Sequence, residues 1–501
     1  MIIDRTSRLL GAAAAAAGVV AWVVCYRADL VLSHYDAKAH LVVARRVIDN
    51  ITPGWKQIGA VWLPLPHLIE ILPTQVDFFY RTGIFASLVS IACFAVTVYA
   101  ASRLVVTATG SRVGAATAAA LLALNPNLLY LQATPMTEPM LFAATFLAVW
   151  WLYEWAVSDR GDVPLKLIVA LFAAAWTRYE AWPALASAVP LTIYAGWRRR
   201  GTFDRAWQLV LPPVLAAVLF MLISRETVGS WFVSGGFYVM DPTYHGLTLR
   251  SLVAVWWGTH RLSGYVVETV ALSAAMVFLV RARSASAAAL AVPVSLLATA
   301  ALPCYAFYAG HPYRVRYMVP VVAGCALMSG MAVGLAGERR RQLLLAAGLV
   351  ASLLLESPFW TGQAPMIQEA QLDVPASHAR RAVTECLTAG YGGEKVLASM
   401  GSLAHYMQEL SLAGFDLADF VHEGNGDIWN LAMQTGPAPH AGWMLVEERA
   451  EGGDLLAQTI RRDPSFLRGM SRVCEGGGVA LYRRTSGWNE SRPLPDRETR
   501  E

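Results

Sequence analysis

The chain is poor in charge. Asp, Glu, Lys and Arg make up 15% of its 501 residues, and the formal net charge is only +4. That balance is too weak to argue for a nucleic-acid partner. The six cysteines show no metal-ligand spacing. No internal repeat appears, which argues against the paired halves of many transporters. Gly476–Gly477–Gly478 leads into a strand-like segment, not a helix, so it is a turn and not a phosphate loop. His40, His245 and His311 lack the spacing of a metal cage, and no metal or other cofactor is expected.

Apolar residues are abundant instead. They make up 56% of the chain, and mean hydropathy is +0.43, beyond what one soluble core accounts for. A membrane helix needs roughly 20 mostly apolar residues. About eleven runs are read as spans, near 8–26, 83–102, 113–131, 138–157, 165–177, 181–197, 207–224, 263–280, 286–308, 318–336 and 342–356. The runs at 165–177 and 181–197 are short and parted only by Arg178–Tyr179–Glu180. They form either a tight hairpin or one broken helix; the hairpin keeps the basic gaps on one side and is adopted. The first run, after Met1–Ile2–Ile3–Asp4–Arg5, reads as a signal peptide or a retained anchor. The anchor is preferred, because candidate site residues follow directly. Cys25, Cys93, Cys304 and Cys325 lie in or beside apolar runs and read as packing residues.

The charges sort into two groups. Alternate gaps carry bare cations: Arg103/Arg112, Arg160/Lys166, Arg198–Arg199–Arg200, Arg281/Arg283 and Arg339–Arg340–Arg341. These read as cytoplasmic anchors. The other gaps carry mixed clusters and would face outward. Two long external loops result, 27–82 and 225–262. In the first, the stretch from His40 to Ile48 is amphipathic at helical spacing and suits a helix in the membrane interface. Trp55, Trp62, Pro64 and Pro66 suggest a loop dipping to the bilayer surface. The second holds Trp231, Tyr238, Tyr244, His245, Trp256 and Trp257, ordinary interface aromatics or, more sharply, sugar-stacking rings.

Past Ser357 the apolar runs stop. The expected division is a membrane domain at 1–356, a small extracytoplasmic α/β domain at 357–485 and a polar, disordered tail at 486–501. Strands are expected at Lys395–Met400, Gly442–Val446 and Val479–Arg483, and helices at Ser402–Ala413 and Asp454–Arg461. Cys386 and Cys474 are either a disulfide, if the domain lies outside the cytoplasm, or two free thiols.

The mixed clusters hold the candidate chemistry. Asp36 and His40, four apart, share a helical face. Asp36 at the membrane boundary is placed to take a proton from an acceptor hydroxyl; otherwise it is a solvated interfacial acid. Glu138 sits where an apolar helix starts, a position the helix dipole alone explains and one that also suits substrate binding. Arg178, Tyr179 and Glu180 interrupt apolar runs, where ionisable groups are costly and are usually paired or functional. His311, Arg314, Arg316 and Tyr317 are the strongest local signal. Two guanidiniums on the side that topology does not need positive suit a phosphate, or an anionic lipid headgroup. Lys56 adds a further cation.

Together these features resemble the GT-C superfamily of integral membrane glycosyltransferases, in particular family 39, the aminoarabinose-transferase-like enzymes and the related protein O-mannosyltransferases. The residues that carry the resemblance are Tyr35–Asp36–Ala37–Lys38–Ala39–His40, Thr137–Glu138–Pro139, Thr177–Arg178–Tyr179–Glu180–Ala181–Trp182 and Arg316–Tyr317–Met318–Val319–Pro320. The resemblance implies a polytopic α-helical fold with an extracytoplasmic C-terminal α/β domain, in a bacterial inner membrane. It implies inverting transfer of a hexose or pentose from a polyprenyl-phosphate donor to a lipid, glycan or protein hydroxyl. It makes Asp36 the base; the charged clusters themselves, and not a residue-by-residue match, put Arg314, Arg316, His311 and Lys56 on the donor phosphate and His40, Glu138, Arg178, Tyr179, Glu180 and Tyr317 on substrate. Many members place two adjacent acids at the first position; here Ala37 follows Asp36, so no second acid is carried over. A secondary transporter and a non-catalytic envelope assembly protein are the alternatives.

Overall fold

The computed structural model describes residues 5–159, 161–203, 205–233 and 238–485. Residues 1–4, the expected anchor Arg160 and the tail 486–501 lie outside the described residues. The chain divides into two compact units: Met1–Leu41, Gly59–Ser234 and Val239–Leu372 form one, and Val42–Ile58, Gly235–Tyr238 and Asp373–Glu501 the other.

The first unit is helical over all the expected apolar runs. Among the described residues, six helical segments are long and apolar enough to cross a membrane alone: Arg5–Arg27, Ile84–Thr109, Glu138–Val157, Trp207–Val228, Ala285–Tyr308 and Val315–Gly334. Arg112–Ala123 with Pro126–Gln132, bent by 69°, and Thr248–Ser263 with Tyr265–Arg281, bent by 119°, raise the number to 8. The protein is therefore a multi-pass membrane protein, with six to eight spans by length and apolarity where eleven were expected. The difference has clear causes. Leu165–Thr177 has only 13 residues. Ala181–Arg200 ends in three arginines and Arg339–Glu356 begins with three, which shortens the apolar stretch of each.

Local chemistry sets the breaks. The Asn125 side chain accepts from the Asn127 and Leu128 amides at 2.9 and 3.3 Å, and Pro126 follows, so a new helix starts inside an apolar run. Arg178 is extended (φ −155°, ψ 154°) and ends Leu165–Thr177. The chain then turns back, and the Trp182 indole donates to the Ala175 carbonyl at 2.9 Å.

Small residues let helices approach. A Cβ on Gly114 would lie 2.5 Å from the Gly330 carbonyl oxygen, and one on Gly330 would lie 2.5 Å from the Ala118 Cβ. Arg112–Ala123 and Val319–Gly334 therefore meet backbone to backbone, as membrane helices do at small-residue seams. At the helix ends, Arg103 lies 5.4 Å from the Trp150 ring and Lys166 4.8 Å from that of Trp151. Arg199 pairs with Asp159 at 2.9 Å. Arg198–Arg200 and Glu180 mark opposite ends of the 20-residue helix Ala181–Arg200, about 30 Å apart at the α-helical rise.

Two expectations are corrected here. Helix Tyr35–Arg45 is not an amphipath with one face left for lipid: Asp36 through Arg45 are all buried. Its polar residues have partners inside the protein, so no face remains for the bilayer. The stretch 357–372, expected in the C-terminal domain, belongs to the membrane unit, because Met366 and Ala370 of helix Pro365–Ala370 join its core. The Met366 amide also donates to Asn127 Oδ1 at 3.1 Å.

The second unit is built on a five-stranded sheet. The strands are β1 (Val396–Ala398), β2 (Phe420–Val421), β3 (Trp443–Glu447), β4 (Met470–Gly476) and β5 (Val479–Arg484), in the order β2-β1-β3-β5-β4. β1 is parallel to β2 and β3, whereas β5 is antiparallel to β3 and β4. β1 and β3 are buried throughout, as inner strands should be. Gly477 and Gly478, both at positive φ, make the β4–β5 turn. Helix Val374–Gly390 carries Cys386, which is disulfide-bonded to Cys474 on β4. Val42–Ile58 is bonded into this unit. The Asp49 carboxylate accepts from the Leu417 and Ala418 amides at 3.1 and 3.0 Å. Asn50 bonds His422 at 3.0 Å and accepts from Asn425 at 2.7 Å. Gln57 donates to the Gly424 carbonyl at 2.8 Å.

Candidate active site

Helix ends in the membrane unit bring the charges together. Asp36 lies in the first turn of Tyr35–Arg45, Glu138 opens Glu138–Val157, and Glu180 immediately precedes Ala181–Arg200. All three carboxylates thus sit at helix N-termini, which favour negative charge. Arg178 follows the C-terminus of Leu165–Thr177, the end that favours a cation. Arg316 lies in the 3-10 turn Val315–Met318 leading into Val319–Gly334.

These residues form one chain of ion pairs. Arg316 Nη1 pairs with Asp36 Oδ2, and Arg316 Nε lies 3.8 Å from Glu138 Oε1. Arg178 Nη1 lies 3.3 Å from the same Glu138 oxygen, and its Nη2 is 2.6 Å from Glu180 Oε1. Arg178 also donates to Thr137 Oγ1 at 2.8 Å. Asp36, Glu138, Glu180 and Arg316 are no more than 5% exposed. Three carboxyl groups face two guanidiniums. Among the described residues neither Glu138 oxygen has a hydrogen-bond partner, although both are buried.

Burial opposes ionisation of Asp36, but the Arg316 guanidinium overrides it. With His34 and His40, it holds the carboxyl below the usual carboxylate range. Glu180 follows the same pattern: burial would raise it, and Arg178 brings it below its ordinary value. The charge on Asp36, together with burial, pushes the Tyr35 phenol up.

A second layer surrounds Asp36. His34 Nδ1 accepts the Asp36 amide at 3.1 Å, which leaves the proton on Nε2, 3.8 Å from Glu369. Glu369 also accepts the Val315 amide at 2.9 Å. Burial disfavours its charge, but the neighbouring His34 and the Arg316 charge prevail and lower its pKa. Arg314 is half-buried and acts electrostatically on both Glu369 and Tyr35. His311 donates from Nδ1 to the Pro312 carbonyl at 2.9 Å, so its Nε2 accepts from the Tyr317 hydroxyl at 3.2 Å. Arg316 lies 5.6 Å from the Tyr317 ring.

His40 Nδ1 meets His67 Nε2 at 3.0 Å, and the Trp62 ring packs 4.3 Å from that of His40. Burial, then the neighbouring His67, pushes the His40 pKa well down. Tyr179 packs against Trp182 and Phe220 at 5.3 and 5.7 Å, with its hydroxyl 3.5 Å from the Ala60 carbonyl.

Of the expected site residues, Asp36, Glu138, Arg178, Glu180 and Arg316 share direct ion pairs. His40 and Tyr317 interact electrostatically with that chain, Arg314 acts on Tyr35 and Glu369 beside it, and His311 joins through Tyr317. Lys56 belongs to the other unit, 5.9 Å from its neighbour Trp55. Trp256 and Trp257 are exposed and stand beside His260. Sequence reasoning missed His34, His67 and Glu369. The adjacency of His34 to Tyr35–Asp36 was an available signal; Glu369 had none, being far along the chain. Among the described residues, no group of three or more His, Cys, Asp and Glu side chains is placed to hold a metal ion.

Neither a protein-family profile nor a curated protein matches the chain at the sequence level. Solved structures do match. ArnT from Cupriavidus metallidurans bound to undecaprenyl phosphate superposes with a TM-score of 0.58 at 12% identity, over 94% of this chain and 98% of that one. The apo state of the same protein gives 0.53 at 12% identity, over 93% and 98%. At that identity the likeness establishes architecture: this chain has the fold of ArnT, here a polytopic helical part with a small C-terminal sheet.

Proposed function

We propose that the protein is an inverting glycosyltransferase that moves a hexose or pentose from a polyprenyl-phosphate donor to a hydroxyl of a lipid, glycan or protein acceptor. The observation that carries this reading is the ion-pair chain, in which Asp36, Glu138, Arg178, Glu180 and Arg316 converge from five separate helix ends. A transporter would favour embedded charge on both sides of the bilayer. An assembly protein would leave Asp36 and Arg316 apart. The fold shared with ArnT, whose structure holds undecaprenyl phosphate, adds support for a lipid-phosphate donor.

In this reading the Asp36 carboxylate accepts the acceptor's hydroxyl proton. The acceptor oxygen bonds to the anomeric carbon, and the carbon–oxygen bond to phosphate breaks with its electron pair on the leaving phosphate. Arg314 and Arg316, with His311 and Tyr317, stabilise the growing negative charge, so no general acid is needed at the leaving group. Glu138, Arg178, Tyr179, Glu180 and His40 orient sugar and acceptor. The reading invokes no resident metal. The site and the C-terminal unit face away from the cytoplasm of a bacterial inner membrane. The Cys386–Cys474 bond supports this orientation, because disulfides persist in oxidising compartments.

The test uses proteoliposomes supplied with a panel of polyprenyl-phosphate sugars. Asp36→Asn retains donor binding and loses transfer by at least about 100-fold, the low end of general-base contributions. Transfer near the wild-type rate would remove Asp36 as the base.

A further inference from the structure

The ion-pair chain contains an unresolved conflict. The proposed base is paired with a residue proposed to hold the donor phosphate, and the same guanidinium cannot serve both fully. Arg316 is buried between Asp36 and Glu138. Three carboxyl groups already share two guanidiniums, and a donor phosphodiester brings a further anion to them. A carboxylate gripped by a guanidinium is also a poor base, because its affinity for a proton is low.

We propose that Arg316 is a positioning residue that couples the two substrates: the incoming phosphate draws its guanidinium away from Asp36, and only then is Asp36 basic enough to activate the acceptor hydroxyl. The inference rests on the glycosyltransferase reading and adds an order of events to it. The acceptor is not activated until the donor is seated. The guanidinium's interaction with phosphate strengthens as the bond breaks, when the leaving group gains its second negative charge.

The neighbours of Asp36 fit this role. From its own segment it faces His34, Tyr35 and His40. From the turn before Val319–Gly334 it faces Arg316 and Tyr317, with Arg314 acting on Tyr35 beside it. His34 is committed to the Asp36 amide and Glu369, and His40 to His67. Arg316 is therefore the cation whose movement changes Asp36 most. Glu138 stands ready on its other side: both carboxylate oxygens lack hydrogen bonds, so the guanidinium can leave Asp36 and keep a partner.

The experiment uses the full chain in nanodiscs, with undecaprenyl phosphate as the probe. A hydrophobic carbodiimide labels protonated carboxyls, and the half-labelling pH of Asp36 is read by peptide mass spectrometry. Saturating probe raises that pH by about 1–3 units, the usual size of an arginine's effect on an adjacent aspartate. Glu180, held by Arg178, shifts little. Arg316→Gln raises the Asp36 value without probe, and probe then adds nothing; Arg316→Lys restores part of the response. Bound probe with no rise at Asp36, or an equal rise at Glu180, overturns the coupling and leaves the glycosyltransferase reading standing. Absence of any saturable probe binding overturns both. The wild-type titration alone decides the matter if the variants do not fold.

Discussion

Arg178 offers a measurable test of the ion-pair chain. It reaches Glu180 at 2.6 Å, Thr137 at 2.8 Å and Glu138 at 3.3 Å, and its side chain is 12% exposed. In Arg178→Met the apolar stem remains and the guanidinium goes. Among the described residues Glu180 then has no cation in direct contact, and Glu138 keeps Arg316 alone, at 3.8 Å. Removing one member of a buried pair costs about 3–5 kcal/mol, where an exposed pair is worth about 0.2–1 kcal/mol. The sign of the pH effect follows from Glu180. In the native protein its pKa is depressed, so its stabilisation is present above its unfolded value, near 4.3, and is lost as pH falls through the folded one. Without Arg178, burial is opposed only by the Glu180 backbone hydrogen bond and Arg316, and the pKa rises, so the variant gains stability as pH falls from 7 toward 5. Unfolding in detergent at pH 7 and pH 5 measures this, with Glu180→Gln and the double variant completing the cycle. The double variant should be more stable than Arg178→Met alone at pH 7. A loss below about 1 kcal/mol at pH 7, or a variant that weakens further at pH 5, refutes the reasoning.

Two predictions concern the C-terminal unit. Burial holds His422 down at about 3, so the neutral ring stabilises the fold above the unfolded value near 6.5 and that stabilisation falls as pH drops toward 3, by up to about 4–5 kcal/mol. His422→Gln should flatten an acid-unfolding curve followed by limited proteolysis. Cys386 and Cys474 are 88 residues apart, so reduction, or Cys474→Ser, should cost about 4–5 kcal/mol by loop entropy; equal protease resistance with and without reductant would count against that.

The sequence was most legible where local chemistry acts alone. Apolar length located the long helices of the membrane unit except Thr248–Ser263, which lies almost wholly in the expected loop 225–262, and the three-residue interruption Arg178–Tyr179–Glu180 marked both a helix break and two charges worth pairing. Sidedness put Asp36, Glu138, Glu180 and Arg316 on one face before any geometry was known. The pairing itself was not legible. Nothing in Arg314–Val315–Arg316 says which guanidinium turns inward; the turn Val315–Met318 buries Arg316 and leaves Arg314 half-open. His40–Ile48 had the period of a surface helix, but tertiary burial overrode it. Strands β2 and β4 were missed because β2 has two residues and β4 is an exposed edge without alternation, with a register shift between Arg472 and Cys474.

Segment Val42–Ile58 has a consequence for biosynthesis. Asp49 and its partner Leu417 are 368 residues apart. At about 5–20 residues per second, the ribosome takes about 20–70 s to make the intervening chain. Throughout that interval Asp49, Asn50 and Gln57 have left the ribosome and their bonding partners do not yet exist. The C-terminal unit therefore closes only at the end of translation, around a strand of chain made near its beginning. Cutting the protein before Asp373 to obtain that unit separately would remove a segment on which its hydrogen bonding depends.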